Sequence, residues 1–172
     1  MNSYRVALIG TGRVGYQFQF TDLPDLPDNH AAAIAASDRC RLVAGVNRGR
    51  KKLEQFGHRF GVDALYQDYR KMLDEARPDI CIVATHPELH CQMIEECAAA
   101  SSTQAIICEK PMALSLGECD RMIGACERAG VLLQINHNRR WKSDWVHAQQ
   151  LLTDGVIGDL NRAFSKGLRG PQ

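Results

Sequence analysis

The chain has 172 residues, 45% apolar and 24% charged, with 21 basic against 20 acidic side chains and a formal net charge of +1. That is room for one well-packed core and too little for two complete domains. The near-cancellation of charge argues against a nucleic-acid partner or an acidic tail protein, and no apolar run approaches the roughly 20 residues needed to cross a bilayer.

The dominant rhythm is a short apolar or β-branched run followed by a longer helical one. Residues 4–10 (YRVALIG) read as a buried strand that leads straight into GTGRVG. The apolar part is too short for a signal-peptide core, so no export is expected and the predicted location is cytoplasmic. Residues 18–29 (FQFTDLPDLPDN) carry Pro24 and Pro27 and cannot form a continuous helix. They read as an insertion between the glycine turn and a helix over 29–37. A second strand follows at 40–46, then helices at 48–56 and 69–76, a strand at 79–85 and a helix at 87–100 opened by Pro87. Strands at 104–109 and 131–136 flank a helix at 116–130 that ends on Gly130. Continuous apolar strands alternating with helices predict an α/β fold, a doubly wound parallel sheet covered on both faces.

After residue 136 the rhythm changes to a basic turn (HNRRWK), a helix over 143–155 and a stretch at 157–168 that reads as a strand without a visible partner. Such a strand favours association or disorder, because its ladder groups are unpaired; residues beyond about 155 are expected to be mobile or packed against another copy. Trp141 and Trp145, four apart, read as packing residues on one helix face. The predicted organisation is therefore residues 1–136 as a dinucleotide-binding Rossmann domain, and 137–172 as the start of an incomplete second α/β domain.

The seven cysteines, Cys40, Cys81, Cys91, Cys97, Cys108, Cys119 and Cys126, are odd in number and contain no C-x-x-C pair. They read as small buried hydrophobes in a reducing cytosol. His137 and His147 lie ten apart without an acidic ligand set, so no metal site is expected.

Gly10-Thr11-Gly12-Arg13-Val14-Gly15 matches G-x-G-x-x-G at the end of one strand and the start of a helix, the context in which the pattern is informative. Gly10 permits the tight turn, Gly12 lets a pyrophosphate approach the backbone, and Gly15 lets helix and sheet pack closely. Backbone N–H groups at the helix start would face the phosphates. A dinucleotide site usually places an acidic residue after the second strand to hold the adenosine ribose. Asn47 stands there instead, 32 residues after Gly15. It cannot repel a phosphate as a carboxylate would, and residues 48–52 (RGRKK) add four cations at a helix start. Arg48 could pair with a 2′-phosphate or stack on adenine. The expected cofactor is NADP(H) in preference to NAD(H), with a solvated charged helix face as the alternative.

ALIGTGRVG, ATHPELH (84–90), CEKPMALS (108–115), NHNRRW (136–141) and DGVIGDL (154–160) together resemble, in order, the Gfo/Idh/MocA oxidoreductases. His30 and His90 also fall where that family often has histidine. The resemblance implies an NAD(P)-dependent enzyme acting on a small-molecule polyol, sugar or related carbonyl. It implies that Gly10, Thr11, Gly12, Arg13 and Val14 wrap the pyrophosphate, and that Asn47 and Arg48 face the adenosine end. Thr85, His86 and Pro87 would flank the dinucleotide, although His86 stands where many relatives have proline. Glu109 and Lys110 would sit near the nicotinamide ribose, with a cis Lys110–Pro111 bond aiming the lysine into the cleft. Asn138 and Arg139 would line the cofactor or substrate edge.

Lys110 is also a sensible catalytic residue on chemical grounds. Hydride transfer at a carbinol carbon needs a proton donor or acceptor at its oxygen, and a lysine in a partly desolvated cationic cleft can serve. A lysine merely paired with an acid at a strand end is the alternative. Relatives of full length carry a second domain with a large open sheet, which forms the substrate pocket and usually an oligomer interface. It also supplies an aspartate and a histidine four apart. No D-x-x-x-H element occurs in this chain, so the expectation is a truncated member of the family, homo-oligomeric when full length. A non-catalytic dinucleotide-binding or regulatory module, or an interaction protein on a worn dinucleotide fold, are the alternatives.

Overall fold

The computed structural model describes residues 3–17 and 29–164. Chain contacts divide the protein into two compact units, with the boundary between Asn136 and His137.

The first unit is built on a six-stranded parallel sheet in the order β3-β2-β1-β4-β5-β6. The strands are β1 (Tyr4–Ile9), β2 (Cys40–Val46), β3 (Leu65–Tyr66), β4 (Ile80–Val83), β5 (Ala105–Cys108) and β6 (Leu132–Ile135). Successive side chains of a strand point to opposite faces, and here each face has its own core. Ala7 and Ile9 join Val83, Met72, Ile94 and Met122 on one face. Val6 and Leu8 join Ile34, Phe56 and Ile82 on the other. Helices α1 (His30–Ala35) and α2 (Arg50–Phe60) supply Ile34 and Phe56, whereas α3 (Tyr69–Ala76), α4 (His90–Ala99) and α5 (Leu116–Ala129) supply Met72, Ile94 and Met122. A sheet buried on both sides is why its central strands read as uninterrupted apolar runs.

Local signals set the helix ends. Asn29 Oδ1 accepts from Ala32 N (2.9 Å), Asp68 Oδ1 from Arg70 N (2.9 Å) and Ser115 Oγ from Glu118 N (3.2 Å), each satisfying a first-turn donor. Gly61 and Gly130 close α2 and α5 in the left-handed conformation. The glycine turn is followed only by a five-residue π-helical turn, Arg13–Gln17, in which Gln17 N reaches Gly12 O (3.4 Å). The proposed insertion, apart from Asn29, lies outside the described residues, as do the side chains of Arg13 and Val14.

The second unit contains a 3-10 turn, Asn138–Trp141, and α6 (Ser143–Thr153). Two expectations are corrected here. Residues 157–164 form no strand: Gly155 and Gly158, both at φ +68°, turn the chain, and no described segment offers this stretch a ladder. The remainder of that expected strand, 165–168, lies outside the described residues. Trp141 and Trp145 do not pack on one helix face either. Trp141 belongs to the 3-10 turn and Trp145 to α6, and they are 70% and 50% exposed.

Candidate functional site

Strand order reverses between β1 and β4, which leaves a crevice at the carboxyl ends of the strands, where ligands of open α/β sheets bind. The glycine turn closes one side of it. Gly10 N and Thr11 N both donate to Val46 O (2.9 and 3.2 Å), which ties the turn to the end of β2. Gly10 has φ +103°, and a Cβ there would lie 2.7 Å from the Ala84 carbonyl carbon. At Gly12 a Cβ would meet nothing within 4 Å among the described residues. One glycine is thus required by the protein's own backbone, and the other keeps an open approach to it. Thr11 is fully buried, and its Oγ1 has no hydrogen-bond partner among the described residues.

A cleft of about 850 Å³ opens from this turn. Gly10, Gly12, Asn47, Arg48, Thr85 and His86 line it, together with Lys52, Gln67, Asp68, Tyr69, Arg70, Leu89, Gln92 and Met93. Asn47 Oδ1 accepts from Gly49 N (2.8 Å), so the acceptor of its amide is used locally and the other half of the group is a donor. Gln67 Nε2 donates to Arg48 O (2.8 Å) and steadies the loop after β2. Three cations, Arg48, Lys52 and Arg70, stand along this end. A further cavity of about 600 Å³ lies at the opposite, amino-terminal edge of the strands, against Arg5, Arg41 and Asp63.

The far wall is braced by Glu96 of α4. It accepts from Tyr69 Oη (2.6 Å), Arg70 Nη2 (2.8 Å) and Gln92 Nε2 (3.0 Å), and it pairs with Arg70 Nε at 2.6 Å. Burial pushes the Glu96 carboxyl up, but the bonds from Arg70, Tyr69 and Gln92 outweigh it and hold the group below its ordinary value. Burial, then the Glu96 bond and charge, push the Tyr69 phenol the other way, well above its usual range. The sequence reading missed this wall: its members come from α3 and α4, and no local spacing links them.

Glu109 and Lys110 follow β5. The Glu109 side chain is not among the cleft-lining residues. Its Oε1 accepts from His30 Nε2 (2.8 Å) and Asn136 Nδ2 (2.6 Å), and its Oε2 from Lys110 N (3.3 Å). Burial pushes this carboxyl up, yet the hydrogen bonds from His30 and Asn136, the His30 charge and the Lys110 N–H together hold it below the ordinary carboxylate value. Lys110 itself is exposed, not partly desolvated as expected, and the Lys110–Pro111 bond is cis. Fully buried His90 bridges the next stretch: Nδ1 lies 3.1 Å from both Pro111 O and Met112 O, and Nε2 lies 3.2 Å from Thr85 O. Pro87 opens a 3-10 turn before α4. Asn138 and Arg139 belong to the second unit. All seven cysteines are free, five of them buried, and Cys108 is pushed up to about 12 by burial and then by Glu109 and Cys126. No cluster of three potential metal ligands exists among the described residues.

The strand order, the switch-point crevice and the glycine turn define a Rossmann-type α/β domain. Residues 4–137 match the profile described as "Oxidoreductase family, NAD-binding Rossmann fold", and the chain belongs to this Gfo/Idh/MocA family. It is 36% identical over 130 residues to a D-apiose dehydrogenase of Paraburkholderia graminis, covering 76% of this chain and 34% of that protein. A myo-inositol 2-dehydrogenase of Thermotoga maritima is 27% identical over 154 residues, covering 90% of this chain and 42% of the relative. Among solved structures, an oxidoreductase from Agrobacterium radiobacter in complex with NAD+, L-tartaric acid and magnesium superposes with a TM-score of 0.76. It is 26% identical and covers 92% of this chain and 42% of that one. The chain therefore spans about two-fifths or less of these relatives' length.

Proposed function

We propose that this chain is the cofactor-binding part of an oxidoreductase that moves a hydride between a nicotinamide dinucleotide, preferentially NADP(H), and a sugar, polyol or related carbonyl compound. The observation that carries it is the single cleft joining the glycine turn to Asn47, Arg48, Thr85 and His86 at the ends of three strands. The open face of Gly12 and the unpartnered buried hydroxyl beside it fit a dinucleotide at the turn. The glycine turn would hold the pyrophosphate, and Asn47, Arg48 and Lys52 would hold the adenosine end. When bound, the nicotinamide supplies a hydride donor or acceptor. Lys110 would give or take the proton at the substrate oxygen.

Preference for NADP(H) rests on a donor amide and cations where an acidic residue would select the unphosphorylated ribose. One charge-assisted bond to a 2′-phosphate contributes about 1.5–3 kcal/mol, roughly 10–150-fold in affinity. Fluorescence titration with NADPH and NADH tests this. NADPH should bind at least about 10-fold more tightly, and Arg48→Ala should erase most of the difference. Equal or tighter binding of NADH would overturn the preference and leave the dinucleotide site standing. For Lys110, the Lys110→Met variant of the full-length protein should keep cofactor affinity and lose turnover with D-apiose or myo-inositol, the substrates named for the relatives.

A further inference from the structure

We propose that His30 and Asn136 are positioning residues for Lys110: they hold the Glu109 carboxylate, and that carboxylate holds the Lys110 backbone N–H. The inference rests on the reading of Lys110 as the proton-handling group.

Three elements meet at this carboxylate. His30 opens α1, Glu109 ends the β5 segment and Asn136 ends the β6 segment, each carried there by its own strand or helix. Glu109 is only 6% exposed, and a buried carboxylate must be matched by donors. Here there are three: His30 Nε2 and Asn136 Nδ2 on Oε1, and the Lys110 N–H on Oε2. Because the acceptor is a carboxylate, the His30 proton must sit on Nε2. The backbone bonds Glu109 N to Val83 O (2.9 Å) and Asn136 N to Cys108 O (2.7 Å) fix the two strand ends against β4 and β5. Without His30 and Asn136, Oε1 would lose both donors and the carboxylate would turn toward water. The Lys110 N–H would then lose its partner. On the other side of Lys110, His90 already holds the Pro111 and Met112 carbonyls. Lys110 is thus gripped on both flanks, with the Glu109 grip dependent on a histidine 79 residues away.

The test uses His30→Leu, which removes the donor, His30→Gln, which returns an amide N–H near the position of Nε2, and Asn136→Ala. Amide hydrogen exchange at Lys110, referred to Ile82 in the core of β4, reads the backbone grip. In His30→Leu it should accelerate at least about 10-fold relative to Ile82 and return toward wild type in His30→Gln, the scale of one lost hydrogen bond. In the full-length protein, kcat should fall roughly 10–100-fold in His30→Leu, as expected for a misplaced catalytic group. Cofactor affinity should stay within about 3-fold, and Asn136→Ala should show the same split more weakly. Unchanged Lys110 exchange overturns the proposal, as does His30→Gln no better than His30→Leu, or cofactor affinity falling in step with kcat. Turnover surviving in Lys110→Met would instead refute the role of the lysine, a result the exchange measurement does not share.

Discussion

Substituting alanine separately at Gly12 and Gly10 distinguishes a ligand-facing glycine from a structural one. At Gly12 the added methyl meets nothing within 4 Å among the described residues, and the residue does not have a left-handed φ. Alanine there restricts the unfolded chain and should leave stability unchanged or raised by about 0.4–1 kcal/mol. On the proposed function, the same methyl would stand where the pyrophosphate approaches. Losing one charge-assisted hydrogen bond, about 1.5–3 kcal/mol, predicts roughly 10–150-fold weaker dinucleotide binding. At Gly10 the methyl would press on the Ala84 carbonyl, whose carbon lies 2.7 Å away, at φ +103°. Left-handed strain of about 1–2 kcal/mol and overpacking of about 1–3 kcal/mol should together cost roughly 2–5 kcal/mol of stability. Urea denaturation and nucleotide titration of the two variants measure both quantities. Gly12→Ala binding NADPH and NADH as tightly as wild type would refute the assignment of the turn to the pyrophosphate.

Thr11→Val should raise stability by about 1 kcal/mol in urea unfolding, because valine keeps the shape and removes a buried hydroxyl without a partner among the described residues; no gain would mean that the hydroxyl is satisfied. Glu109 has a folded carboxyl value below its unfolded one, so its contribution is complete above about pH 4.3 and disappears as pH falls below that, through the folded value. Unfolding midpoints between pH 7 and pH 3 should therefore fall less steeply for Glu109→Gln than for wild type, and identical acid slopes would contradict the sign. Tyr16→Leu should cost about 1–3 kcal/mol, since Tyr16 meets Phe56 and Phe60 edge-on at 5.6 and 6.1 Å. Tyr16→Phe should cost less, about 1 kcal/mol, because it keeps the ring and loses two 3.3 Å hydrogen bonds, one to Lys52 O and one from Gln17 Nε2; equal losses in the two variants would argue against ring packing.

The frame of the first unit was legible because its strands are buried on both faces, and the apolar runs at 4–10, 40–46, 79–85, 104–109 and 131–136 each contain one. What escaped was decided by tertiary contact. β3 is two residues long and pairs only with Gly45 and Val46, too short to carry a periodic signal. Helix α2 continues past residue 56 to Phe60 because Gly57 is not a stop. A Cβ at Gly57 would lie 2.7 Å from Val62 O, so glycine there serves close packing. The glycine turn and the cations after β2 were readable as motifs, and the structure lines one cleft with both. The Glu96 and Glu109 networks were not, since each gathers donors from separate elements. His30 carried the one available signal, a histidine at a position the family often fills, without any indication of its partner.

Glu96 and Glu109 are acidic, yet neither offers a free carboxylate to a ligand: each is saturated by donors from neighbouring elements. The charged groups that line the cleft itself are the cations Arg48, Lys52 and Arg70 and the single carboxylate Asp68, so cations outnumber anions along it. Tyr16 then couples that cationic rim to the glycine turn, because its hydroxyl bonds the carbonyl of Lys52 while its ring packs on α2. On the proposed function, a phosphate at the turn and one at the rim would sit on two segments that Tyr16 ties together. A ligand that reaches only one of them gains nothing from that tie. Preorganisation of this kind favours a molecule carrying both charges on one rigid span over two separate anions, because the ordering cost of the site is already met by the fold.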